Sequence, residues 1–158
     1  MPRTLVAGFG NVLRGDDGFG IVVLERLEQR GVPADVVLIE VGTGGLQLAQ
    51  ALLDPFDRVI VVDAMTNGGS PGTLYVHQVE SVEAAREVDL HLAVPAAALA
   101  VAQALGALPR EVFVVGCEPE EVDALHIGLS AAVLGTVPAA IAAVERLLAA
   151  PLPVEVTS

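Results

Sequence analysis

The sequence predicts an α/β protein, built on a mixed, mostly parallel twisted sheet of about five strands with helices on both faces, an α/β/α sandwich. Short continuous runs of β-branched residues, such as RVIVVDA and REVFVVGC, have the pattern of strands buried on both faces. Helix-length segments rich in Ala and Leu separate these runs, as crossovers between parallel strands require. The composition is 53% hydrophobic but only 3% aromatic and lacks Trp, so branched aliphatic side chains must fill the core.

Taken in order, TLVAGFG at 4–10 is the first strand. A helix follows, capped by Asp16 or Asp17, running through GFGIVVLERLEQR and stopping at Gly31 with Pro33 just beyond. ADVVLIEVG at 34–42 is the second strand, GLQLAQALL at 45–53 the second helix, and RVIVVDA at 58–64 the third strand. After the turn sequence NGGSPG, TLYVHQV at 73–79 alternates Tyr75 and His77, expected outward, with Leu74, Val76 and Val79. It forms an added strand that can run antiparallel. The third helix begins between His91 and Pro95 and ends at Gly106; REVFVVGC at 110–117 is the last strand, and VPAAIAAVERLLAA the last helix. Proline is tolerated in both helical first turns because its missing N–H has no intrahelical partner there. A single domain over 1–150 is expected, with PLPVEVTS at 151–158 as a loosely ordered tail.

Charge and cysteine usage exclude several functions. The formal charge is −12, from 20 acidic residues against 8 basic ones, all of them Arg. Such a chain lacks the positive footprint that nucleic acid or an anionic membrane requires. The single cysteine, Cys117, leaves no internal disulfide and no CxxC knuckle, which fits a reducing compartment and makes the cytoplasm the default location. LAVPAAALAVAQALGALP is interrupted by Pro95 and Gln103 and has no basic anchors, so a packed helix is expected rather than a membrane span.

In an open parallel sheet, ligands bind outside the carboxyl ends of the strands. Asn11, Asp16, Asp17, Glu40, Thr43, Asp63 and Glu118 fall there, and His91 joins them if its loop returns to the same rim. The stretch GFGNVLRGDDGFG at 8–20 resembles a dinucleotide loop, but four residues separate Gly10 from Gly15 where the fingerprint allows two, and two aspartates occupy the helix start where a pyrophosphate would sit. Asp63 closes the β-branched run VIVV, an expensive place for a charge without a cation or hydrogen-bond donors. Carboxylates with an imidazole suit a borderline divalent metal such as Ni or Zn. Neither Ser130 nor Ser70 has a partnered His in an obvious arrangement, and Cys117, ending a buried strand, has the character of a core residue.

Three segments, GFGNVLRGDDGFG, VVDAMTNGGSPGTLY and GCEPEEVDALHIGLS, resemble the signature blocks of the hydrogenase maturation endopeptidases, which trim the large subunit of [NiFe] hydrogenases. The resemblance implies a metal-gated endopeptidase that removes the C-terminal extension of a large-subunit precursor after nickel insertion. By that likeness Asp17, Asp63 and His91 are the metal ligands and Asp17 and Asp63 the catalytic carboxylates, with Asp16 an alternative to Asp17 and His77 or His126 alternatives to His91. The nickel is supplied by the precursor, Zn or Cd can stand in for it, and no organic cofactor is implied. A metal or precursor chaperone without peptidase activity, or a nucleotide-binding regulator, are the competing readings.

Overall fold

The computed structural model describes residues 2–80, 93–120, 122 and 125–154. Within them a five-stranded sheet has the order β2-β1-β3-β5-β4. Its strands are β1 (Thr4–Phe9), β2 (Val36–Gly42), β3 (Arg58–Ala64), β4 (Leu74–Gln78) and β5 (Glu111–Cys117). The first three and β5 run parallel, and β4 joins antiparallel on the outer edge of β5. The helices are α1 (Phe19–Arg30), α2 (Leu46–Ala51), α3 (Ala93–Ala104), α4 (Ala131–Leu134) and α5 (Val137–Ala149).

The central strands explain the continuous apolar runs, because alternate residues enter two different cores. Leu5, Ala7, Val59 and Val61 pack with α2 and α3 on one face. Val6, Ile60 and Val62 pack with α1, α4 and α5 on the other. The segment Ala131–Ala149 is apolar and long enough to cross a membrane by composition, with mean hydropathy 1.6. In the fold it comprises α4 and α5, and Val133, Val137, Ala140, Ala143 and Val144 lie in the core, so it serves as a core element.

Five local expectations need correction or extension. The α1 helix starts at Phe19 with Gly18 as a cap that has no side chain, whereas Asp16 and Asp17 sit in a preceding 3-10 turn, Gly15–Gly18. The Asp16 carboxylate makes tertiary hydrogen bonds and that of Asp17 accepts from Asn11 within the same connection, and neither caps the helix. Tyr75 does not point outward: it packs on the α2/α3 core and its hydroxyl reaches Glu118, while Val76 is the more exposed neighbour. At this edge both faces meet a core, Leu74 on the α1/α5 side and Tyr75 on the α2/α3 side, so alternation does not turn Tyr75 to solvent. The short helix α4 was not anticipated, and Ser130 caps it by accepting the Val133 N–H. The second helix spans only Leu46–Ala51. Pro151 and Pro153, in the segment expected to be a loose tail, accept hydrogen bonds from Arg58 and Arg110.

The base of the sheet holds a buried ion pair. Arg58 at the start of β3 donates to Glu111 at the start of β5, and its guanidinium also meets the carbonyls of Leu147 and Ala150 at the end of α5. This satisfies the C-terminal carbonyls of the last helix with a charge of favourable sign.

Candidate active site

The strand order places a topological switch point between β1 and β3. The crossover after β1 leads outward to β2 by way of α1, and the one after β2 returns across β1 to β3 by way of α2, on the opposite face of the sheet. A crevice opens where the two crossovers part, and ligands of open α/β sheets bind in such crevices. Asp17 lies on the connection leaving β1, and Asp63 is the penultimate residue of β3. The sheet topology therefore brings two carboxylates 46 positions apart in sequence to one rim.

Glycines hold the Asp17 turn against the sheet. A Cβ on Gly20 would collide with the carbonyl oxygens of Val62 and Phe9, so the first turn of α1 can rest on the ends of β1 and β3 only without a side chain there. Gly10 adopts φ of +129°, and a Cβ on it would strike the Asp17 carbonyl. The glycine pattern that mimics a nucleotide loop serves close backbone approach.

The two adjacent aspartates have different environments. Asp16 is buried and its carboxylate accepts from Ser130 N–H at 2.7 Å, Glu120 N–H at 2.8 Å and Ser130 Oγ–H at 2.9 Å. It anchors the turn to the segment after β5. Asp17 is half-buried; its Oδ2 accepts the Asn11 N–H at 3.0 Å. The one carboxylate is committed to holding the fold, and the other keeps an oxygen without a hydrogen bond from the described residues.

Asp63 is buried at the end of β3, in register with Gly116 of β5, and takes part in further polar interactions. Glu118, just past β5, is also buried, and its Oε1 accepts from Asn67 N–H, Gly69 N–H and Tyr75 Oη–H, each at 2.8 Å. It thereby fixes the turn that follows Asp63. Burial and the neighbouring Glu118 carboxylate push the Tyr75 phenol above its ordinary value. Asn11, Glu40 and Thr43 line a cleft of about 420 Å³ beside the Asp17 turn, at the ends of β1 and β2.

The histidines are dispersed. His91 lies outside the described residues. His77 is in the middle of the edge strand β4, opposite Val114, two residues below the level of Asp63 and two strands away, about 10 Å at the usual strand spacing. His126 is at the rim: its backbone bridges to the Asp17 turn, with Gly15 N–H donating to its carbonyl at 2.7 Å and its own N–H donating to Leu13 O at 2.9 Å, while its exposed ring meets Gly128 O. Among the described residues no three His, Cys, Asp or Glu side chains form a ready-made metal cage. Cys117 is buried, and burial pushes its thiol up to about 11, so it is an inert core residue.

The sequence presents Asp16 as a helix cap or an alternative ligand and Ser130 as a hydroxyl without a partnered His. The structure joins them to each other. The signal was present in the sequence only as two polar residues 114 positions apart, with nothing local to link them.

The fold is shared with solved structures of hydrogenase maturation endopeptidases. HybD from E. coli superposes with a TM-score of 0.82 at 31% identity, covering 92% of this chain and 91% of that one. The HybD protease from Thermococcus kodakarensis gives 0.78 at 25% identity, covering 92% and 99%. In sequence, the HupD hydrogenase expression/formation protein of Rhodobacter capsulatus is 38% identical over 152 residues, 94% of this chain and 72% of the relative. The delta subunit of coenzyme F420 hydrogenase from Methanothermobacter thermautotrophicus is 34% identical over 146 residues, 87% and 89% of the two chains. Residues 21–147 match the HycI hydrogenase maturation protease family. The chain belongs to the hydrogenase maturation protease family and is a peptide-bond hydrolase of the endopeptidase type.

Proposed function

We propose that this protease removes the C-terminal extension of a [NiFe] hydrogenase large-subunit precursor and that it acts once nickel is in place. The observation that carries this reading is the convergence of the Asp17 turn and the end of β3, with Asp63, at the switch point of the sheet. The nickel is part of the substrate: the precursor brings it, and Asp17 and Asp63, with His91, supply additional ligands. Asp17 fits that role through its chemistry, since only one of its oxygens accepts a hydrogen bond from the described residues. Oxygen and imidazole donors match a borderline divalent ion, and Zn or Cd would occupy the same donor set.

Coordination would place the scissile bond beside the rim and exclude precursors without metal. Nickel held there would acidify a bound water, and Asp17 or Asp63 would take its proton as it attacks the peptide carbonyl. Cys117 and Ser130 offer no competing nucleophile: one is a buried protonated thiol, and the other spends its hydroxyl on Asp16 and on the cap of α4.

The test is processing of purified nickel-loaded precursor by Asp17→Asn and Asp63→Asn variants that retain native circular dichroism. Each should lose at least 100-fold in rate. Two folded, active variants would place the reaction elsewhere.

A further inference from the structure

The rim carries an apolar ridge that folding does not need. Residues 12–14 and 125–127 are bridged by backbone hydrogen bonds, Gly15 N–H to His126 O and His126 N–H to Leu13 O. From this ridge project Val12, Leu13, Leu125 and Ile127, which are 42%, 52%, 83% and 77% exposed. They make up four of the eleven large exposed hydrophobic side chains among the described residues. Single exposed aliphatics are ordinary, but four on two bridged three-residue segments form a patch, and contiguous patches mark contact sites.

The ridge is held in place from beneath. The buried Asp16 carboxylate ties the first segment to Ser130 and Glu120, which flank the second. Its apolar side chains therefore cannot turn inward, and a preformed surface loses little order on contact. At its centre Arg14 is exposed and, among the described residues, its guanidinium has no hydrogen bond or ion pair, although the chain as a whole carries −12. An unpaired cation among aliphatics on an acidic protein calls for a partner that brings a carboxylate. The ridge also leads directly to Asp17, three residues after Arg14, so a polypeptide that presents its scissile bond to Asp17 must pass over or beside it.

We propose that the ridge of residues 12–14 and 125–127 is the docking surface for the large-subunit precursor, taking an apolar stretch of that polypeptide that carries an acidic side chain. This rests on the reading of the Asp17 rim as the place of cleavage. The ridge sets affinity, and the rim carboxylates set turnover.

The experiment compares Leu125→Ser/Ile127→Ser, Arg14→Glu and Asp17→Asn with the wild type, using purified nickel-loaded precursor for steady-state kinetics and for direct binding by calorimetry. The ridge variants should keep the wild-type melting temperature, raise KM and Kd at least tenfold and leave kcat within twofold. Asp17→Asn should lose turnover while still responding to the ridge substitutions in binding. Ridge variants with unchanged KM and Kd overturn the docking surface even if Asp17→Asn is inactive, whereas a fully active Asp17→Asn overturns the rim reading on its own. Sedimentation provides a further check: if the ridge substitutions convert a dimer to a monomer without altering Kd for the precursor, the ridge is a self-association surface and the proposal fails.

Discussion

Replacing Asp16 and Asp17 separately by Asn should divide stability from catalysis between two adjacent residues. Asp16 receives a backbone N–H on each carboxylate oxygen, from Ser130 and Glu120, and the Ser130 hydroxyl besides. An asparagine there keeps one acceptor oxygen but turns its NH₂ group toward a part-buried N–H that it cannot satisfy, in either orientation of the amide. One orphaned donor costs about 1–3 kcal/mol, and loss of charge assistance on the remaining bonds adds about 1 kcal/mol, so Asp16→Asn should lose about 2–4 kcal/mol. Asp17 is half-buried with one bond from Asn11 N–H, which an amide oxygen can accept as well, so Asp17→Asn should stay within about 1 kcal/mol of wild type. Urea unfolding followed by far-ultraviolet circular dichroism, with equal m-values, measures both. Equal losses for the two variants, or a loss below about 1 kcal/mol for Asp16→Asn, would refute the assignment of Asp16 as the anchor.

Other expectations follow from the same geometry. Arg58→Ala should cost about 3–5 kcal/mol in urea unfolding, because it leaves Glu111 buried without its partner and frees the carbonyls at the end of α5. Tyr75→Phe removes a hydroxyl donor to Glu118 and should cost about 1.5–3 kcal/mol, with the turn at Asn67–Gly69 exchanging its amide hydrogens faster. Cys117 should resist a disulfide thiol reagent at pH 8 until the chain unfolds. Its folded-state thiol is raised to about 11, so its contribution to stability is complete below the ordinary thiol range and disappears as pH climbs through about 11; a Cys117→Ala variant should show a shallower alkaline loss.

Much of the fold is legible in the sequence because local and tertiary demands coincide. Runs such as RVIVVDA can only be strands covered on both sides, and Gly31, with φ of 85°, ends α1 where a left-handed residue was needed. The rim candidates were legible for a related reason: in a parallel sheet, the strand-to-helix loops identify themselves once the strands are known. What could not be foreseen is the division of labour between Asp16 and Asp17, since it depends on Ser130 and Glu120 arriving from the far end of the chain. Local propensity favoured an N-cap, and three tertiary hydrogen bonds outweighed it. Tyr75 was misplaced similarly, because its direction is set by the buried Glu118 carboxylate rather than by the alternation of its own strand.

The central claim is that the rim formed by the Asp17 turn and the end of β3 acts on a precursor that already holds nickel. The most direct measurement incubates the purified protein with nickel-loaded and nickel-free forms of the same large-subunit precursor and follows release of the C-terminal peptide by mass spectrometry. Cleavage of the loaded form alone, lost in Asp17→Asn, is the result predicted; equal cleavage of both forms would contradict it.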